Sequence, residues 1–432
     1  MQVFLKNFGC STNLADGEVL AGCLAQAGFQ LASSEAEASV LIYNTCAVKG
    51  PTENRIIDAL KHAPRGKKLI VAGCLPMISF ERLVREVCFD GAVGPSVGAE
   101  IVDVVRRVAA GEKVIDLEDL NRKPKLDLPK IRSNPVVSAV TINYGCLGSC
   151  AYCCVVSARG HLRSYSIKEV VDRVISDLAD GAKEFWVTSQ DTACYGRDLE
   201  SNLAKLLKAL DGLAGDFKVR VGMMTPNKET DMQEELLEAF KSDKVFKFLH
   251  LPVQSGDDDT LKRMCRHYTV AEFKGIVNSF KAQFPDLTLA TDIIVGFPGE
   301  TEKAFENTLN LLEEVKPDVT NVSKFFARPK TAAAQIEDGL VEREEIKRRS
   351  SVIAQLVRQI SFERNKRWEN WVGDVLIDEK GKVEGSWVGR NFAYKPVAVK
   401  SPESLIGKTI KVKIVEASTT YLKGAATSFT SG

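Results

Sequence analysis

The sequence has 432 residues, 58 Lys+Arg against 57 Asp+Glu, a formal net charge of +1, and 44% hydrophobic residues. This length predicts two or three domains, and the balanced charge excludes a chain that meets nucleic acid through a uniform excess of cations. With no uninterrupted apolar run of about 18 residues, a membrane-spanning helix is not expected.

The first residues, MQVFLKNFGCSTN, read as a strand and a turn, without the apolar stretch and small-residue cleavage site of a signal peptide. A cytoplasmic chain is therefore expected. In a reducing compartment its 11 cysteines are metal ligands, buried thiols or catalytic groups rather than disulfides. Residues 1–110 alternate the short apolar runs VFL, SVLIYN and KLIVAG with helical patterns, the rhythm of a parallel α/β sheet. Cys10, Cys46 and Cys74 each stand just past one of these runs. Parallel strands deliver their carboxyl ends to one edge, so three cysteines far apart in sequence can converge there on a metal cluster. Cys23 and Cys88 fall at helical, buried-looking positions, so chance placement is the competing reading.

Residues 111–131 are expected to be a linker; the stretch 121–135, NRKPKLDLPKIRSNP, holds three prolines and five basic residues without periodicity. A second α/β run spans 132–362, with candidate strands SAVTINYG, KEFWVTSQ, KVRVGMM, FKFLHLPVQ, LATDIIVGF and NVSKFFA. Between them lie helical patterns, the clearest at 166–180, which opens with a capping box from Ser166 and Glu169. Six β/α units predict an open, partial barrel rather than the closed eightfold one.

Cys146, Cys150 and Cys153, in YGCLGSCAYCC, directly follow the first of these strands. Three thiolates on a short loop can hold three irons of a 4Fe-4S cluster and leave the fourth open to a substrate, such as the amino and carboxylate groups of S-adenosylmethionine (SAM). A structural zinc loop is the alternative, disfavoured because none of the four histidines lies inside the motif to complete the set. Cys154 is either a buried thiol or an alternative ligand, and Cys194 and Cys265 read as structural.

Further candidates lie at the other strand ends. Gln190 and Asp191 in TSQDTACYG, and Gln254 and Ser255 in LPVQSGDDD, are polar pairs that bind a ligand or are solvated loop. The loop GFPGETE, with Gly296, either turns backbone amides to a ligand or is ordinary β/α punctuation. Arg159 in SARGHLRSY meets a carboxylate or is a surface charge.

A basic helical stretch, 342–367, leads to five short strand patterns in 364–430, which predict a small OB-like β-barrel. From Arg364 onward there are 12 Lys+Arg against 7 Asp+Glu, a net +5. Trp368, Trp371, Trp387, Phe392 and Tyr394 lie among Arg390 and Lys395, a mixture suited to single-stranded RNA or to the barrel's own core.

Taken together, NFGCSTNLADGE, YNTCAVKGPTENR, GCLGSCAYC, TSQDTACYGRD, LHLPVQSGDDDTLKRM and ATDIIVGFPGETE resemble the methylthiotransferase family of radical SAM enzymes along essentially the whole chain. Their wording is most similar to the archaeal and eukaryotic branch that acts on threonylcarbamoyladenosine beside the tRNA anticodon. The resemblance implies an N-terminal domain (1–110) with an auxiliary cluster on Cys10, Cys46 and Cys74. It also implies a radical SAM core (132–362) with its cluster on Cys146, Cys150 and Cys153, and a C-terminal TRAM domain (364–430). It further implies two 4Fe-4S clusters, SAM, a tRNA anticodon loop as partner, a reducing electron donor and a sulfur source. A monomer is expected. A SAM-derived radical would take hydrogen from adenine C2, and methylated sulfur from the auxiliary site would fill that carbon. KFFARPKTAAA (324–334) departs from the family's Pro-Gly-Thr-Pro-like string, and from the closing TSFTSG no membrane anchor of the kind that eukaryotic relatives can carry is expected. Arg159 or Arg328 is the expected partner of the threonylcarbamoyl carboxylate. The rival substrates are isopentenyl-adenosine and a ribosomal-protein aspartate; a non-catalytic iron-sulfur RNA-binding protein is the rival of another class.

Overall fold

The computed structural model describes residues 1–47, 50–117, 120–226 and 231–428. Val48 and Lys49 of the quoted CAVKGPTENR motif, and the tail from Phe429, lie outside the described residues.

The N-terminal sheet has six strands: β1 (Gln2–Asn7), β2 (Gln30–Leu31), β3 (Val40–Thr45), β4 (Lys68–Gly73), β5 (Gly91–Val93) and β6 (Val114–Asp116). All pair in parallel, in the order β2-β1-β3-β4-β5-β6. The apolar runs of β3 and β4 are continuous because both faces are covered. Leu41, Tyr43, Leu69 and Val71 enter one core, and their neighbours Val40, Ile42, Ile70 and Ala72 enter the other. The sheet continues past residue 110, since β6 comes from the expected linker. That linker is also not a loose tether. Lys130, 3% exposed, donates to Ser138 Oγ and the Ala139 carbonyl, and lies 3.3 Å from Glu18 and 3.6 Å from Asp177. It thereby ties the helix Ser11–Gln26 to the next domain.

The next six parallel strands are β7 (Val137–Thr141), β10 (Glu184–Thr188), β11 (Lys218–Val221), β12 (Phe248–His250), β13 (Thr288–Val295) and β14 (Val319–Lys324). They form two three-stranded halves, β7-β10-β11 and β12-β13-β14, adjoining through a parallel bridge between Val219 and Val245. An open six-stranded partial barrel results. The helix Ile167–Ala179 on its outside carries the expected Ser166–Glu169 capping box. Inserted between β7 and β10 is a two-stranded antiparallel ribbon, β8 (Asn143–Tyr144) and β9 (Arg163–Ser164), which closes the base of the cysteine loop.

A 24-residue helix, Arg343–Lys366, runs along the barrel to a closed five-stranded barrel, β15 (Val372–Lys380), β16 (Ser386–Arg390), β17 (Pro396–Lys400), β18 (Thr409–Ala417) and β19 (Leu422–Ser428). No helix among the described residues is long and apolar enough to cross a membrane.

Candidate active site

Cys146, Cys150 and Cys153 lie on the loop held between β8 and β9. Gly145, at φ +72°, makes the entry turn, and a Cβ there would stand 2.1 Å from the His161 carbonyl oxygen, so only glycine lets the two ends of the loop close. Ala151 anchors the middle of the loop. Its N–H donates to the Met264 carbonyl and its own carbonyl accepts from Ala333.

Around the sulfurs, Gly148 N–H donates to Cys146 Sγ at 3.1 Å and Arg266 Nη1 donates to Cys150 Sγ at 2.8 Å. The adjacent Cys194 thiol, which donates to Asp191 Oδ2 at 3.3 Å, holds Cys146 below its ordinary range, while burial pushes Cys153 up. The ligand atoms of Cys146, Asp191 and Cys194 lie within 4.8 Å of one another. Cys150 and Cys153 stand outside that trio, Cys150 turned to Arg266. Three loop thiols with an amide donor on one sulfur and a guanidinium donor on another fit a cluster with an open iron, whose charge such donors compensate.

The second set gathers at the carboxyl edge of the N-terminal sheet. Cys10 caps the helix Ser11–Gln26, Cys46 follows β3, and Cys74 begins the helix Cys74–Ile78 after β4. Gly73 turns the chain into Cys74 at φ +95°, where a Cβ would be 2.3 Å from the Thr45 carbonyl oxygen. Burial pushes the Cys74 thiol up to about 12, Arg159 opposes that rise, and the sulfurs of Cys46 and Cys10 are near enough to add to it. The topology thus brings together three cysteines separated by 36 and 28 residues in sequence, and their donor set fits a second cluster.

The two sets adjoin. Cys154, next to Cys153, points its thiol at the carbonyl of Ala47, next to Cys46, at 3.7 Å. Cys154 is 3% exposed, the buried-thiol alternative of the sequence reading. From there the helix Val155–Arg159 crosses to the N-terminal domain, where Arg159 pairs with Asp16 at 2.5 Å and lies over the Tyr144 ring. Arg328, in the loop that departs from the family string, pairs with Glu53 of the N-terminal domain. Both guanidinium groups are 3% exposed, and each holds a carboxylate of this chain.

The other candidates divide. Asp191 Oδ1 accepts from the N–H groups of Ala193 and Thr225 and so shapes its own loop, whereas Gln190 Oε1 is buried without a partner among the described residues. Gln254, at φ +71°, bridges to Ile293, and Ser255 is fully buried beside Thr308. The Gly296 amide donates to Glu300 at 2.7 Å, so it is spent inside its own loop. Sequence reasoning missed Arg266 and Asp16. Arg266 follows the short helix Asp258–Arg263 without any spacing signal. Asp16 was legible as a polar residue, with Asn13 and Glu18, inside an otherwise apolar helix.

In the C-terminal barrel much of the aromatic and cationic set serves packing, the second of its two sequence readings. Trp368 is in the barrel core, with Trp371 and Trp387 packed against it. Arg390 pairs with Asp378, and Lys395 with Asp318 at 2.8 Å, both turned inward. Tyr394 stacks edge-on with Phe246 and hydrogen-bonds Glu184 of the larger barrel at 3.1 Å. Phe392 remains 39% exposed, and the exposed cations among the described residues of the barrel include Lys380, Lys382, Lys400, Lys408, Lys411 and Lys413.

Family models match three segments: residues 2–94, "Uncharacterized protein family UPF0004"; residues 140–312, the radical SAM superfamily; and residues 369–427, the TRAM domain. A "Probable threonylcarbamoyladenosine tRNA methylthiotransferase" of Pyrococcus abyssi is 40% identical over 98% of this chain and 99% of its own. The "Threonylcarbamoyladenosine tRNA methylthiotransferase" of Homo sapiens is 36% identical over 98% of this chain and 73% of its own. Among solved structures, the radical S-adenosylmethionine methyltransferase TsrM of Kitasatospora setae superposes with a TM-score of 0.56 at 13% identity, covering 77% of this chain and 74% of that one, a likeness of fold.

Proposed function

Since the chain belongs to the threonylcarbamoyladenosine tRNA methylthiotransferase family, a radical SAM family, we propose that it converts N6-threonylcarbamoyladenosine beside the tRNA anticodon to its 2-methylthio derivative. The observation that carries this reading is the contact between Cys154 and Ala47, which sets one thiol group beside the other. A reaction that removes hydrogen at one centre and delivers sulfur from another needs such adjacency, because the target carbon must serve both without leaving the site.

Cys146, Cys150 and Cys153 would hold the SAM cluster, and Cys10, Cys46 and Cys74 the auxiliary one. Bound there, the clusters and SAM supply the radical that reaches an unactivated C–H bond and the sulfur that replaces the hydrogen. The chain's own residues do the positioning. Arg266 anchors the Cys150 sulfur, Cys194 the Cys146 sulfur, and the β8–β9 ribbon fixes the loop between them. Gln190, with its unpartnered amide oxygen at the barrel rim, is the candidate to receive a SAM donor. Asp191, Gln254, Ser255 and Gly296 act on the ligand through the backbone turns they fix. The target base has to leave the anticodon-loop stack to present C2, so a single-stranded loop suits the site. We place the protein in the cytoplasm as a monomer served by a reducing electron donor and a sulfur source.

Nucleoside mass spectrometry tests the substrate. Transcript tRNA should stay unmodified until the threonylcarbamoyl group is installed and then gain the methylthio group. Equal rates on unmodified adenosine or isopentenyl-adenosine would reject the substrate and leave the reaction class standing.

A further inference from the structure

Arg159 carries a chemistry that its ion pair does not use up. Its Nη2 donates to Asp16 Oδ2 at 2.5 Å, and the Tyr144 hydroxyl takes the other carboxylate oxygen, also at 2.5 Å. Asp16 is therefore satisfied on both oxygens without help from Nη1. That Nη1 is buried and has no hydrogen-bond partner among the described residues. A buried, unpaired guanidinium N–H is costly unless something accepts it, and Arg is the side chain whose planar fork serves two acceptors at once.

The surroundings say which acceptor. The helix Val155–Arg159 packs on the helix Cys74–Ile78, and Cys74, Cys154 and Ala158 share one apolar cluster. The partner Asp16 lies on the helix that Cys10 caps. Cys74 and Cys10 are both among the electrostatic neighbours of the guanidinium. The charge of Arg159 thus stands among the thiols of the second set, although in sequence it is six residues past Cys153.

We propose that Arg159 is a positioning residue of the auxiliary site, its Nη1–H reserved for a sulfur atom held at Cys10, Cys46 and Cys74. This rests on the two-cluster reading above. Hydrogen bonds to cluster sulfur and nearby positive charge raise a cluster's potential, so Arg159 sets the potential at which the auxiliary site takes an electron. Because the residue is supplied by the helix that follows the SAM loop, the core domain tunes a centre whose ligands all belong to the N-terminal one.

The test is a dithionite titration, followed by electron paramagnetic resonance, of full-length protein in which Cys146, Cys150 and Cys153 are alanine, leaving one cluster to be read. This background should carry about four irons. Absence of iron from it would reject the second cluster itself and not the role of Arg159. In it, the double change Asp16→Asn with Arg159→Gln leaves local charge balanced and removes the Nη1–H. The midpoint should fall so that the reduced-to-oxidised ratio at fixed potential drops at least tenfold, about 59 mV for one electron. Loss of iron from a variant whose apo form melts with the parent also supports the contact. Unchanged iron with an unchanged midpoint overturns it. If the double variant does not fold, Arg159→Lys is read instead; it keeps the charge on Asp16 but withdraws the second nitrogen, and should shift the midpoint the same way by a smaller amount. A lysine variant with the parental midpoint overturns the proposal.

Discussion

The thiol of Cys154 and the carbonyl oxygen of Ala47 are 3.7 Å apart, and each is the chain neighbour of a proposed cluster ligand, Cys153 and Cys46. The contact is apolar packing with one weak S–H donor, so its size matters more than its polarity. Cys154→Ala should leave SAM cleavage near the parental rate. Cys154→Phe overfills the seam, costs about 1–3 kcal/mol of stability, and should depress methylthio transfer more than SAM cleavage. Equal loss of both activities would mean that the seam does not set the spacing of the two centres.

Reconstituted protein should hold about eight irons, four in each cluster. Changing Cys10, Cys46 and Cys74 together to alanine should halve the count and spare reductive SAM cleavage. Cys150→Ala should abolish that cleavage, because the loop loses one of its three ligands and the contact to Arg266. Iron analysis and chromatography of 5′-deoxyadenosine check both, and full iron in the triple variant would refute the second site.

Lys411 and Lys413 face outward on β18 and are unlike Arg390 and Lys395, which are consumed inside. Charge reversal at both should weaken tRNA binding and lower the slope of log K against log salt by about 2, one for each lost phosphate contact. SAM cleavage without tRNA should not change. A parental salt slope would move the RNA to another face.

Glu184 is buried where the two barrels meet, with Trp186 and Tyr394 donating to Oε1 at 2.6 and 3.1 Å. Its Oε2 and Asp378 Oδ1 are both buried without hydrogen-bond partners among the described residues. Burial first, then the Asp378 charge, push Glu184 up to about 7 from 4.5. A carboxyl raised on folding stabilises fully below its unfolded value, and that contribution is lost as pH rises through the folded one. Glu184→Gln mimics the protonated form, so its stability advantage over the parent should grow from pH 5 to pH 8, to at most about 3 kcal/mol. Denaturant midpoints across that range check it, and a constant difference would place the titrating carboxyl elsewhere.

Lys130→Met should destabilise by about 3–5 kcal/mol, because it leaves Glu18 and Asp177 as buried carboxylates beside an apolar side chain. Arg173 still serves Asp177, so Glu18 carries most of the penalty. A thermal melt within a degree of the parent would show that water reaches the seam.

The main features of the fold, and the strand ends at which the cysteines stand, were legible because they follow from short-range rules. Ser166 and Glu169 announce a helix start, and the apolar runs of β3 and β4 announce a parallel sheet. What stayed hidden depends on partners far away in sequence. β5 and β6 are three residues long and exist because β4 gives β5 an edge to pair with. The carboxylates that Arg159 and Arg328 hold, Asp16 and Glu53, arrive from another domain and leave no local signal. Lys395 and Arg390 sit among aromatics in a pattern that RNA and a domain interface would both choose. Only the presence of Asp318 and Asp378 decides between them.

The seam at Lys130 bears on how such a protein can change over generations. Helix Ser11–Gln26 is buried along most of its length, one side on its own sheet and the other on β7, with Gly22 close against the Pro129 carbonyl. The piece that looks like a self-contained cassette is therefore finished by its neighbour. Exchanging it for the equivalent piece of a distant relative would hand the core a mismatched helix face and an orphaned lysine. Recombination between such genes should succeed at the junction before the small C-terminal barrel sooner than at the proline-rich stretch that resembles a spacer. The two thiol-bearing halves should therefore exchange only together.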